Sequence, residues 1–285
     1  MIPYVEQPSF RIGPITVHAF GLIVATAVFA GFALGRRRFR QLGLDDRVGE
    51  ALAGYAVVGG FLGAHLFSVL FYFPREVREH PFLLLKVWED VSSFGGIFGG
   101  LLGIWWYFHN KASAIDRPTR WRYVDAVAYV FPMTLAIGRL ACSVAHDHPG
   151  TVTRFPLAVS LESAAAQRYV SEVYRAAGRL AELPVASTFG RLGFHDLGWY
   201  EALYLGGVVV PVTWVLGRKP RAPGAFLALF LALYLPVRFA LDFLRVSDVR
   251  YGGLTPAQWA ALPLAVVAAR WLVVARHQRA AITGP

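Results

Sequence analysis

The sequence predicts an all-α polytopic membrane protein with seven transmembrane helices and a small outer head domain. Of its 285 residues 56% are hydrophobic and only 16% are charged, where a soluble domain carries roughly 25% charged residues. Mean hydropathy is +0.46. The charges are bunched between long apolar runs, as required when about 20 residues at a time must cross about 30 Å of hydrocarbon.

The spans fall at about 15–35, 48–72, 93–109, 123–144, 198–217, 223–244 and 256–275, each near the length a bilayer demands. Helices are expected because the runs lack the alternation of barrel strands, and lipid leaves the backbone no other partners. The first run is followed by Arg36, Arg37, Arg38 and Arg40 and preceded only by Arg11. A signal peptide has the opposite charge order, so this run reads as a retained helix. The third run is short and glycine-rich, and reads as tilted, re-entrant or extended at its ends. Between the fourth and fifth runs, residues 145–197 form the one sizeable extramembrane segment, with a helical stretch over Ser160 to Ala181. The predicted organisation is therefore a membrane body of residues 1–144 and 198–285 around a head of residues 145–197. With Cys142 as the one cysteine, no intrachain disulfide can hold that head together.

Fifteen lysines and arginines lie on the side of the 36–47, 111–122 and 218–221 loops and the C-terminus. Six lie on the other side once residues 145–197 are set aside, since large segments translocate largely regardless of charge. The N-terminus is expected outside and the C-terminus in the cytoplasm. The net charge of +10 belongs to these loops; it reads as topology and anionic-lipid contact rather than nucleic-acid binding.

Two arginines interrupt apolar runs: Arg139 near the end of the fourth, Arg238 within the sixth. A guanidinium in a bilayer costs several kcal/mol unless paired or hydrated, so each implies a partner or an anionic ligand. Arg238, Asp242 and Arg245 stand at i, i+4 and i+7 on one helical face. Asp242 is expected to neutralise one arginine and leave net positive charge for a phosphate. Ser93-Phe94-Gly95-Gly96 opens the third run, and Gly95, Gly99 and Gly103 make a stripe that admits a close neighbour, either a helix or a headgroup. His146, Asp147 and His148 follow the fourth run at the membrane surface. Histidine takes a proton near neutral pH, so this group suits proton transfer. Two histidines at i, i+2 with one carboxylate make a weak metal pattern, and no metal is expected. No internal repeat is visible, which weighs against a transporter, the competing class in which the same arginines would bind and release a headgroup.

Taken in order, these segments resemble the prolipoprotein diacylglyceryl transferase family over nearly the whole chain. The likeness runs through Ile12-Gly13-Pro14, His18-Ala19-Phe20-Gly21-Leu22, Gly63-Ala64-His65-Leu66, Phe71-Tyr72, Trp88-Glu89 and Ser93-Phe94-Gly95-Gly96. It continues through Gly138-Arg139, Gly150, Thr153, His195, Tyr200-Glu201, Pro223-Gly224, Tyr234, Arg238-Phe239, Gly253-Leu254 and Gln258. The resemblance implies a seven-helix body in the bacterial inner membrane with a periplasmic head. It also implies transfer of a diacylglyceryl group from phosphatidylglycerol to the lipobox cysteine of a preprolipoprotein, with release of glycerol phosphate and no cofactor. The family's two essential arginines fall on Arg139 and Arg238, and glutamates of its motifs on Asp147 and Asp242. Phe20, Ser93, Phe94, Gly95, Gly96, Gly150, Tyr234 and Arg245 are then expected near the substrate. The chain departs from the pattern at Phe94, where the family has a histidine, and at Phe20, His65 and Cys142, in place of tyrosine, arginine and asparagine. His146 or His148 is the expected proton acceptor in place of Phe94. The alternative reading is a divergent lipid-binding or lipid-transporting relative, or a transferase with another lipid donor or acceptor.

Overall fold

The computed structural model describes residues 1–13, 15–87, 91–219 and 221–282. Trp88-Glu89 and Pro14 of the resemblance lie outside the described residues. In chain order the elements are β1 (Ser9–Ile12), β2 (Ile15–His18), α1 (Ala19–Gln41), α2 (Asp46–Phe71), α3 (Pro74–Glu79), α4 (Ser93–Asn110) and α5 (Arg117–Ala145). They continue with β3 (Pro149–Thr153), β4 (Val159–Ser160), α6 (Ala164–Ala176), β5 (Gly193–Asp196), α7 (Leu197–Tyr204), α8 (Val210–Leu216), α9 (Ala225–Leu241) and α10 (Pro256–Ile282).

Among the described residues, five helical segments are long and apolar enough to cross a membrane: Ala19–Gln41, Asp46–Phe71, Arg117–Ala145, Leu197–Leu216 and Ala225–Leu244. The chain is thus a mostly helical, polytopic membrane protein. Its exposed side chains fit this, since Phe29, Phe61, Leu102, Trp105 and Val266 all face outward with nothing but lipid to cover such a surface. The all-α expectation is corrected by two small sheets, β1-β2 and the three-stranded β3-β5-β4 of residues 149–196. Residues 15–18, placed in the first span, instead form β2, which pairs antiparallel with β1 across a turn containing Gly13. Thr16 and His18 alternate with apolar neighbours there, a period of two that suits a hairpin better than a helix start.

The chain divides into two compact units. One comprises residues 1–30, 132–211 and 237–248; the other comprises 31–131, 212–236 and 249–285. In the second unit, α2 and α4 pack through their glycines. A Cβ on Gly99 would lie 2.1 Å from the Gly59 carbonyl, and one on Gly95 would lie 2.3 Å from that of Gly63. Small residues let the two backbones touch, which is the helix-packing use of such a stripe. Below it a core gathers Phe39, Leu52, Ile104, Phe108 and Tyr123. Asp125 on α5 accepts hydrogen bonds from the backbone N–H groups of Gly224 (2.7 Å) and Phe226 (3.0 Å), capping α9 from outside its own sequence. Gly224 has φ +82° and the ring of Trp271 within 2.2 Å of where a Cβ would stand, so only glycine fits.

In the first unit, residues 149–196 build a small sheet in the order β3-β5-β4. α6 packs on it over Val159, Leu161, Val170, Tyr174, Phe189 and Phe194. Ser163 caps α6, accepting from Ala166 N at 3.1 Å. The predicted helical stretch of residues 160–181 is real but shorter, because Ser163 starts it late and Gly178, at φ +68°, follows its end. Asp196 closes β5 and caps α7, accepting from Trp199 N at 3.0 Å. The helix continues through a π-helical turn, Leu205–Val209, into α8.

Candidate active site

Arg139, in the last turns of α5, and Arg238, near the end of α9, are 2% and 3% exposed. Such burial of two guanidinium groups demands carboxylates. The structure supplies two. Glu201 on α7, 1% exposed, lies between them: its Oε2 is 2.9 Å from Arg139 Nε and its Oε1 is 3.5 Å from Arg238 Nε. Asp242, one helical turn beyond Arg238 and fully buried, accepts from Arg238 Nη1. The i, i+4 pair read from the sequence is therefore formed. The charge balance differs from expectation. The predicted net positive face of Arg238, Asp242 and Arg245 has its second arginine, Arg245, paired with Asp248, while Glu201 lies between Arg139 and Arg238. Sequence reasoning left Glu201 out of the site because it stands at a span end, where a polar residue is ordinary; its position four residues into α7, behind the Asp196 cap, was the available signal.

Gly198 lets α7 come this close to α5, since a Cβ there would lie 2.8 Å from Ser143 N. Arg245 is held by Asp248, Nε to Oδ1 at 2.9 Å. Burial raises the Asp248 carboxyl above its ordinary value even with Arg245 beside it. Gly150 pairs with Arg245 in an isolated antiparallel bridge, and its α-carbon lies against His195 and the Leu244 carbonyl. A side chain there would part the two segments.

The two candidate histidines occupy different settings. His146, buried and at φ +52°, turns the chain out of α5. Its Nδ1 is 2.7 Å from Asp196 Oδ2 and its Nε2 is 3.2 Å from the Val5 carbonyl. Tyr4 stacks on the ring, and the Tyr169 hydroxyl donates to the His146 carbonyl. Both ring nitrogens are thus committed to protein partners, and the residue ties β5 to the N-terminal segment. His148 points elsewhere. Its Nδ1 is 2.5 Å from Asp147 Oδ1, with the histidine 13% and the aspartate 34% exposed. Desolvation works to raise the Asp147 carboxyl, but His148 and Arg139 prevail and hold it below the usual carboxylate range. Arg139 Nη1 lies 3.9 Å from the Cys142 sulfur.

Arg139, Arg238, Asp242, Arg245, His146, Asp147, His148 and Gly150 therefore share one unit, with Phe20 half-buried on α1 in the same unit. Ser93, Phe94, Gly95, Gly96 and Tyr234 belong to the other. There Phe94 is fully buried, Gly95 lines an open apolar groove of about 560 Å³ between α2 and α4, and Tyr234 stacks on Phe230 at 5.2 Å. Gly96 has more room than Gly95, its nearest neighbour being 3.7 Å from a Cβ.

Residues 7–274 match the family model described as prolipoprotein diacylglyceryl transferase. The chain belongs to the prolipoprotein diacylglyceryl transferase family. Similar relatives of this family carry the name phosphatidylglycerol--prolipoprotein diacylglyceryl transferase. That of Xylella fastidiosa (strain M23) is 32% identical over 278 residues, covering 92% of this chain and 90% of the relative. That of Xanthomonas axonopodis pv. citri (strain 306) is 33% identical over 299 residues, covering 99% and 94%. That of Xanthomonas oryzae pv. oryzae (strain PXO99A) is 32% identical over 289 residues, covering 96% and 92%.

Proposed function

We propose that this protein transfers the diacylglyceryl group of phosphatidylglycerol to the cysteine thiol of a prolipoprotein lipobox, releasing glycerol phosphate. The observation that carries the reading is the buried pairing of Arg139 and Arg238 through one carboxylate, Glu201. Family membership along nearly the whole chain supports it.

In the reaction the sulfur forms a bond to the glycerol carbon that carries the phosphate. The carbon–oxygen bond to that phosphate breaks, its electron pair leaves with glycerol phosphate, and the thiol proton passes to a base. Thiolate is the competent nucleophile, and the departing anion requires fixed positive charge in a dry site. Arg139 and Arg238 supply that charge. Glu201, engaging both through Nε, fixes the planes of the two guanidinium groups before substrate arrives, and Asp242 fixes Arg238 from its other side. Arg245 and Gly150 lie in the same unit, and Arg245, paired with Asp248, is assigned to the headgroup. His148 accepts the proton, and the Asp147 carboxylate beside it stabilises the imidazolium that forms. His146 positions β5 and the start of α7 instead. Ser93, Phe94, Gly95, Gly96, Phe20 and Tyr234 are assigned to lipid contact, and the groove at Gly95 suits a hydrocarbon chain.

The protein is read as an inner-membrane protein of seven spans, α4 and α10 supplying two beyond the five long apolar helices. The distribution of arginine and lysine supports an N-terminus outside, residues 145–197 as a periplasmic head, and a cytoplasmic C-terminus.

The test is complementation of cells depleted of their own transferase, with Arg139→Ala and Arg238→Ala as controls. It is paired with purified protein given labelled phosphatidylglycerol and a lipobox peptide. Thioether product with glycerol phosphate supports the reading. Lipid that stays intact with every acceptor overturns it in favour of binding or transport.

A further inference from the structure

We infer that Cys142, Asp147 and His148 form a binding site for a soft divalent transition-metal ion of the Zn²⁺ class. One ligand atom from each residue, the thiol sulfur, a carboxylate oxygen and an imidazole nitrogen, lies within 4.8 Å of the other two. The three come together because the chain doubles back: His146 at φ +52° ends α5, and Asp147 N then donates to the Cys142 carbonyl at 3.3 Å. Asp147 and His148 are thereby folded over the last turn of the helix that carries the cysteine. The His148 Nδ1–Asp147 Oδ1 approach of 2.5 Å is not a hydrogen bond of acceptable geometry among the described residues. Nitrogen and oxygen converge there without the alignment that a shared proton requires.

The donor set suits one kind of ion. Sulfur, nitrogen and oxygen donors are the tetrahedral zinc combination, and bond lengths of about 2.0–2.3 Å put neighbouring donors about 3.4–3.7 Å apart. Reaching that spacing takes side-chain shifts of about 1 Å from the present positions. Thiolate and carboxylate together balance a divalent charge, leaving a fourth position for water. A thiolate donor disfavours hard cations such as Mg²⁺ and Ca²⁺, which select oxygen. Arg139 Nη1, 3.9 Å from the sulfur, has its charge already matched by Glu201, so it does not stand against a bound cation. Asp147 is a third exposed, which gives an ion a way in. Cys142 is thus a ligand. A bound ion beside Arg139 also engages the two residues assigned to proton transfer, so it slows the reaction; this second consequence rests on the proposed transferase activity.

Cobalt chloride titrated into the purified full-length protein in detergent tests the site directly. The expected result is a saturable thiolate-to-cobalt charge-transfer band at one cobalt per chain, displaced by zinc. Cys142→Ser loses the band, and His148→Ala loses saturable binding. In the transfer assay, zinc chloride slows the wild type, a chelator restores it, and Cys142→Ser transfers but resists zinc. Folded wild type without the band overturns the site, as does zinc inhibition of equal strength in Cys142→Ser. A cobalt band in protein that transfers nothing upholds the site and sinks the transferase reading instead.

Discussion

Arg139 and Glu201 meet through Nε and Oε2 at 2.9 Å, with neither side chain more than 2% exposed. In so dry a setting neither charge tolerates the loss of the other, and Arg238 on the far oxygen of Glu201 depends on the same carboxylate. Glu201→Gln keeps the shape and removes the charge. It is expected to cost about 3–5 kcal/mol, the usual consequence of breaking a buried ion pair from one side. Thermal unfolding in detergent measures this, and transfer should fall with it.

Arg238→Lys is expected to fail where a mere point charge would succeed. The guanidinium meets Glu201 through Nε and Asp242 through Nη1, two directions that an ammonium group cannot reproduce. A loss of about 10²–10³ in turnover is expected, the scale of removing one preorganised charge donor. Turnover within a few-fold of the wild type would show that only net charge matters there.

The two histidines should separate cleanly on substitution. His146→Ala removes the bonds to Asp196 and Val5 and is expected to lower the unfolding temperature. His148→Ala is expected to leave unfolding nearly unchanged while slowing transfer about 10²–10⁴-fold, the range for a general base. Unfolding curves and rates on the same preparations decide between these outcomes.

Burial lowers the His195 imidazole below its ordinary value, so the folded chain favours the neutral ring. The contribution of this residue to stability is fully present above the unfolded value of about 6.5 and is lost as pH falls through the folded value. Unfolding temperature should drop between about pH 7 and 5, and drop less steeply in His195→Gln. Parallel slopes for the two proteins would refute this.

Gly99→Ala pushes a methyl to 2.1 Å from the Gly59 carbonyl, whereas Gly96→Ala meets nothing nearer than 3.7 Å. Overpacking of the first kind costs about 1–3 kcal/mol. Membrane accumulation and unfolding of the two variants should therefore diverge, with Gly96→Ala close to the wild type.

Long apolar runs made the helices legible, since a bilayer imposes length and composition directly, and the i, i+4 spacing revealed the Arg238–Asp242 pair. Glu201 was not legible as a site residue. Its partners are 62 residues before and 37 after it, and no local period links residues brought together only by helix packing. The β1–β2 hairpin was hidden for another reason: four-residue strands beside an apolar run carry too little pattern to compete with it. The approach of Cys142 to Asp147 and His148 was hidden too, because it depends on one left-handed residue, His146, and left-handed histidine is not written in composition.

The wide turn at Leu205–Val209 holds one residue more than a regular coil would, so the side chain of Val210 is set about 100° further round the axis than a regular coil would place it. Deleting a single residue there would wind the span tight again. Because Glu201 is clamped between two cations, Val210, now only 4% exposed, would be the residue carried away from its present surroundings.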